Sequence, residues 1–114
     1  MALLLQRVSL GADAMSAREV LEIATLGGAA VLGRAADCGS IEVGKRGDVA
    51  VWDMSGVEAA GAWDPVAGLV MCGPGRVRDL FVDGRGVVRD GRLVTIDLGA
   101  VVARQRALAA RLMG

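Results

Sequence analysis

Gly39, Gly44 and Lys45 have the spacing of a ligand cradle, G-x-x-x-x-G-K, in which glycine amides and a lysine hold the phosphates of a nucleotide. Their neighbours argue against that chemistry. The position after the lysine has to be Ser or Thr to hold magnesium, but here it is Arg46, and Glu42 sets a negative charge where phosphate would sit. A strand-like run, Val49 to Trp52, follows where a phosphate loop needs a helix N-terminus. The same residues make mechanical sense. Gly39 and Gly44 permit tight bends, Ile41 and Val43 anchor the connection, and Asp48 starts the strand by bonding loop amides.

The remaining reactive side chains point the same way. The chain has no histidine, which removes the commonest general base and metal ligand. Cys38 and Cys72 stand 34 positions apart with no CxxC pattern, so metal binding lacks its usual donor set and buried free thiols of a cytoplasmic protein are expected. Asp79, Asp83, Asp90 and Asp97 are spaced for turns and caps, and Asp13, Glu19, Glu22 and Asp37 for a loop and a helix surface. Paired acid and base work needs carboxylates in a shared cleft, which these spacings do not indicate. No catalytic and no metal-ligating residue is expected. Gly39, Gly44, Lys45 and Asp48 are read as a structural motif.

The elements that hold this motif follow from local signals. Ala2 to Val8 reads as the end of a helix, and Gly11 to Met15 as a loop. Ser16 opens the next helix with Glu19 three places on, a reciprocal capping pair, and that helix is expected to reach about Leu32. Ala17, Val20, Leu21, Ala24, Val31 and Leu32 give it an apolar face. Gly27 and Gly28 cost about 1 kcal/mol each against alanine in a helix, which suggests close packing there. Gly33 is a candidate left-handed terminator. Asp64 before Pro65 predicts a capped short helix to about Met71, ended by Gly73, Pro74 and Gly75. Asp83-Gly84 and Asp90-Gly91 then punctuate the runs Val77 to Val82, Arg85 to Arg89 and Arg92 to Thr95, an antiparallel meander. Asp97 caps a last helix with Val101, Leu108 and Leu112 along one side.

On these residues the chain resembles the amidohydrolase superfamily, which closes its barrel and re-enters its small β-domain through a G-x-[IL]-x-x-G-K-x-A-D-[LV] segment. Gly39, Ile41, Gly44, Lys45, Asp48 and Val49 match it, while Val43 stands where the family usually has proline and Gly47 where it usually has alanine. MSAREVLEIATLGGAAVLGR is similar to the family's last barrel helix, and LVMCGPGRVRDLFVDGRGVVRDGRLVT to its final meander. Within the superfamily, LLLQRVSLGADAMSAREVLEIATLGGAAVLGR and DPVAGLVMCGPGRV resemble the 8-oxoguanine and guanine deaminase branch. The resemblance implies an α+β fold: terminal barrel helices over 1–36, a segment of the small β-sandwich domain with a short helix over 37–96, and a terminal helix over 97–114, altogether an incomplete TIM barrel. It implies a parent reaction of hydrolytic deamination of a purine-type base at a zinc centre. The zinc ligands of that family lie on barrel strands ahead of Met1, so no zinc site is carried over and no activity of the chain alone is expected.

Composition bounds the partners. At 114 residues with 54% apolar residues, one small domain with a buried core is expected, and only Trp52, Trp63 and Phe81 are aromatic. No apolar run reaches the roughly 18 residues of a membrane span. Residues 1–72 hold 5 basic and 9 acidic groups and residues 73–114 hold 8 and 4, so the two halves are expected to attract. The arginines of the second half alternate with Asp and lack interleaved aromatics, which points to a solvated surface and away from nucleic acid. The expected partner is a missing barrel portion or a second copy of the chain. The alternative to the deaminase-derived reading is a free-standing β-rich self-association module.

Overall fold

The computed structural model describes residues 2–11, 13–73 and 76–114. Helix α1 (Ala2–Leu10) leads by a short loop into α2 (Ala17–Glu22), which continues without a break through a π-helical turn (Ile23–Gly27) into α3 (Gly28–Val31). Strand β1 (Val49–Val51) comes next. A short helix α4 (Pro65–Ala67) runs into a second π-helical turn (Gly68–Cys72), and then come β2 (Asp79–Val82), β3 (Arg85–Arg89), β4 (Arg92–Leu93) and α5 (Leu98–Met113). The strands form one antiparallel sheet in the order β1-β2-β3-β4. This is an α+β arrangement.

Each boundary has a local cause. The Ser16 hydroxyl accepts the Glu19 amide at 3.3 Å while the Glu19 carboxylate accepts both the Ser16 amide and hydroxyl at 2.7 Å, so the α2 capping box is complete. These bonds, the backbone one first, hold the Glu19 carboxyl below its ordinary range. Gly33, at φ +68°, ends α3 in the left-handed region. Asp64 caps α4 by accepting the Val66 amide at 2.9 Å, and it also receives Arg18 at 3.2 Å, pinning α4 to α2. Gly73 terminates the second π-turn at φ +64°, whereas the expected stops at Pro74 and Gly75 lie outside the described residues. Asp83, Gly84, Asp90 and Gly91 all take positive φ, as two-residue hairpin turns of the right twist require. The strands are shorter than the sequence runs, with Val77, Arg78, Val94 and Thr95 beyond the strand ends, although the Val94 amide still donates to Val87 O at 3.0 Å.

The expected core is not found. The buried apolar residues among those described are Ala17, Ala29, Ala59 and Val88, all small, while β1 is only half-buried. Val31, Leu32, Ile41 and Val43 are exposed, so neither the tail of the α3 face nor the expected anchors of the connection are covered by this chain. Cys38 is half-buried and Cys72 exposed, against the expectation of buried thiols. Two numbers account for all of these departures. The radius of gyration is 18.0 Å, where a compact chain of this length has about 13 Å. The accessible surface is 8735 Å², roughly 2,900 Å² more than the about 5,900 Å² expected for this mass. Residues patterned for burial line surfaces that nothing in the chain covers.

Gly27 and Gly28 are also not where close packing occurs. A Cβ on either would touch only atoms of their own helix. The tight contact comes one residue later, where Ala29 faces Gly39.

Candidate functional site

The structure brings the four motif residues together as a latch between the helix and the sheet. Gly39 and Gly44 lie at φ +94° and +91°, where glycine is the unstrained residue. Gly39 is doubly determined, since a Cβ there would stand 2.8 Å from the Ala29 Cβ and 3.1 Å from the Thr25 carbonyl. The turn therefore seats its backbone directly on the α2–α3 helix, at the π-turn whose Thr25 hydroxyl donates to the Leu21 carbonyl at 2.7 Å. A Cβ at Gly44 would meet open space, so its role is conformational alone.

Lys45 closes the turn from inside. Its side chain is largely covered, its Nζ donates to Ser40 Oγ at 2.6 Å, and it lies 3.2 Å from Glu42 Oε1. The Ser40 hydroxyl in turn donates to Glu42, and these bonds, the serine's first, hold the Glu42 carboxyl low. A cation already satisfied by a serine and a carboxylate within five residues is not waiting for phosphate. The Arg46 amide donates to Asp37 O at 2.8 Å, and its guanidinium pairs with Asp83 at 2.9 Å.

Asp48 directly precedes β1 and bonds a different partner from the one expected. Its carboxylate accepts the amide of Asp83, 2.6 Å away in the β2–β3 turn, instead of an amide of its own loop. Beside it the Gly84 amide donates to Gly47 O at 2.9 Å. A Cβ on Gly47 would stand 3.0 and 3.1 Å from backbone atoms of Gly84, which explains glycine where the family pattern has alanine. Sequence reasoning missed Ser40, Gly47 and Asp83 as members of the latch. Asp83 carried a signal, the Asp-Gly turn, but the turn pattern does not say which carboxylate meets its amide.

Asp79 is held low, mainly by the Arg78 guanidinium at 2.8 Å, and Asp53 by the Ser55 hydroxyl and amide. The carboxylates are dispersed over caps and turns, and no three His, Cys, Asp or Glu side chains converge among the described residues. No buried side-chain polar atom there lacks a partner, so no interior group marks a missing ligand. Behind the latch lies an open apolar depression of about 460 Å³, bordered by Leu21, Ala24, Leu32, Cys38 and Trp52.

Residues 1–94 match the profile of the Amidohydrolase family. The chain belongs to the amidohydrolase family. Among its relatives, the 8-oxoguanine deaminase of Pseudomonas aeruginosa is 37% identical over 112 residues, which cover 98% of this chain and 25% of that enzyme. The 5-methylthioadenosine/S-adenosylhomocysteine deaminase of Desulforudis audaxviator is 40% identical over 114 residues, 98% of this chain and 26% of the relative. Among solved structures, an adenosine deaminase from Xanthomonas campestris with bound zinc superposes with a TM-score of 0.87 at 32% identity, over 98% of this chain and 26% of that one. This amidohydrolase chain thus spans about a quarter of the length of the relatives it matches. The zinc belongs to the Xanthomonas enzyme. The residues present here do not fit such a centre, because the chain has no histidine and its acids and thiols do not cluster among the described residues. No helix among the described residues is long and apolar enough to cross a membrane.

Proposed function

We propose that this chain is the closing, carboxy-terminal part of a metal-dependent amidohydrolase whose reaction is hydrolytic deamination of a purine-type base, 8-oxoguanine or guanine, a C–N bond hydrolysis outside peptides. On this reading the chain supplies no catalytic group. It supports an incomplete TIM barrel by presenting the α2–α3 helix on one side and latching it to the small sheet on the other. One observation carries the reading: a chain that matches a deaminase over 98% of its own length and 25% of the deaminase's contains no histidine. The large uncovered surface supports the need for a further polypeptide, and the two unpaired thiols accord with a reducing, cytoplasmic setting.

The experiment is complementation. The Pseudomonas aeruginosa 8-oxoguanine deaminase, truncated to lack the quarter that this chain matches, is co-expressed with the chain, and ammonia release from 8-oxoguanine, guanine and adenosine is followed. The proposal expects release only when both polypeptides are present, with 8-oxoguanine or guanine preferred. Zinc-dependent turnover by the purified chain alone, or no turnover from a complex that does form, would overturn it.

A further inference from the structure

The helices and the sheet are packed separately. Close packing between elements runs α1 on α2 and α2 on α4 among the helices, and β1 on β2, β2 on β3 and β3 on β4 within the sheet. Among the described residues no hydrogen bond or ion pair joins α2, α3 or α4 to a strand. Where the two groups face each other, the apolar depression of about 460 Å³ lies between them. Leu21, Ala24 and Leu32 border it on the helical side, and Val49, Ala50 and Trp52 on the other.

The turn over residues 37–48 bridges that gap, and it is built in two parts. Its first part belongs to the helix. The Asp37 and Cys38 amides donate to Arg34 O at 2.9 and 3.0 Å, the Arg46 amide returns to Asp37 O at 2.8 Å, and Gly39 presses on Ala29. Its last three residues belong to the sheet. The Arg46 guanidinium, the Gly47 carbonyl and the Asp48 carboxylate hold the consecutive pair Asp83 and Gly84 at 2.9, 2.9 and 2.6 Å. Strand β1 follows at once and pairs with β2, so release of Asp83 and Gly84 would leave β1 with the sheet and the first part of the turn with the helix. The swivel between them then falls at Gly47, where the backbone has the most freedom.

Nothing buries this junction. Arg46 and Asp83 are 43% and 58% exposed and Asp48 is exposed, so water competes for each of the three contacts. The hairpin turn itself does not need them, because Asp83 and Gly84 at φ +52° and +75° hold the twist that the β2–β3 pair requires. Exposed hydrogen bonds with few buried apolar contacts mark the segments that open before the rest of a fold. We propose that residues 46–48 and the Asp83-Gly84 turn form a releasable clasp. Closed, it holds the helices and the sheet as one body. Open, it lets them swivel about Gly47 as two, which changes the width of the depression between them. The inference goes beyond the proposed function, since it concerns two parts of this chain and needs neither the substrate nor a second polypeptide. Its failure leaves the complementation result standing, and the reverse also holds.

The test is nuclear magnetic resonance on the full chain, in which residual dipolar couplings of backbone amides report the orientation of each part. In the wild-type chain, couplings from the α2–α3 helix and from the strands should fit one shared alignment tensor. Arg46→Ala with Asp48→Ala removes two of the three contacts. Gly47→Ala is an independent route to the same end, because its Cβ would stand 3.0 and 3.1 Å from backbone atoms of Gly84 and push the hairpin away. In both variants the helix and the strands should each keep their own internal fit while the shared fit is lost. Two tensors in the wild-type chain, or one shared tensor in either variant, would overturn the proposal. So would a variant whose strands lose their internal fit, since residues 46–48 would then be part of the sheet's own fold and not a clasp upon it.

Discussion

The Asp48 carboxylate and the Asp83 amide lie 2.6 Å apart across 35 positions of sequence, and this bond ties the turn at the start of β1 to the hairpin between β2 and β3. Asp48→Ala should lower stability by about 1 kcal/mol, since it leaves a turn amide without its charged acceptor. Asp48→Asn should recover part of that loss through its side-chain carbonyl. The midpoint of urea unfolding measures both, and equal midpoints for wild type and Asp48→Ala would show that the latch carries no stability.

Gly39 and Gly44 share a backbone conformation but not an environment. Gly44→Ala should cost about 1 kcal/mol, the left-handed penalty alone, because its Cβ would meet open space. Gly39→Ala should cost about 2–4 kcal/mol, adding the clash with Ala29 and Thr25. The order of the two unfolding midpoints is the diagnostic, and a reversed order would place the helix contact elsewhere.

Acid should loosen α2 at its first turn. The Glu19 carboxyl is depressed in the folded chain by the bonds it accepts from Ser16, so it binds a proton less readily folded than unfolded. Its contribution is therefore fully present above the unfolded value of about 4.3 and is lost as pH falls through the lower folded value. The depressed Glu42, Asp53 and Asp79 act in the same sense. Unfolding midpoints followed from neutral pH to about pH 3 should fall throughout the acid limb, and Glu19→Gln should flatten part of that fall. A midpoint that rises on acidification would contradict the capping box.

Chelators should not matter to this chain by itself. With no histidine and no convergent donors among the described residues, thermal unfolding with and without EDTA should coincide, and dialysed protein should retain no stoichiometric zinc. A midpoint lowered by EDTA would require a donor set that the folded chain does not display.

What the sequence made legible was local. Ser16 with Glu19, Asp64 with Pro65, and the two Asp-Gly pairs each encode their structure within four residues, and each forms as expected. Gly39 and Gly44 take the positive φ that tight bends need. What was not legible depends on distant partners: the Asp83 amide that meets Asp48, the Gly84 backbone that presses on Gly47, and the two π-turns that interrupt otherwise regular helix patterns. Charge balance was legible in part, since Asp53 of the acidic half and Arg78 of the basic half attract as expected. Among the described residues, the ion pair that joins the two halves is Arg46 with Asp83, in which the acidic half contributes the cation. Burial failed for a different reason, since the pattern of Ile41, Val43 and Val101 states that they want cover without stating whose.

The pairing of β1 with β2 fixes an order of assembly. The β2–β3–β4 meander closes through two-residue turns, a microsecond event, whereas Val49–Val51 must wait until residues 52–78 have brought their ends together, which carries a larger loop-closure entropy. In pulsed hydrogen exchange during refolding, amides of the meander should acquire protection first and those of β1 last. The latch is then a late event in the life of each molecule, and a newly made chain spends its first moments with its helical half and its sheet half unacquainted.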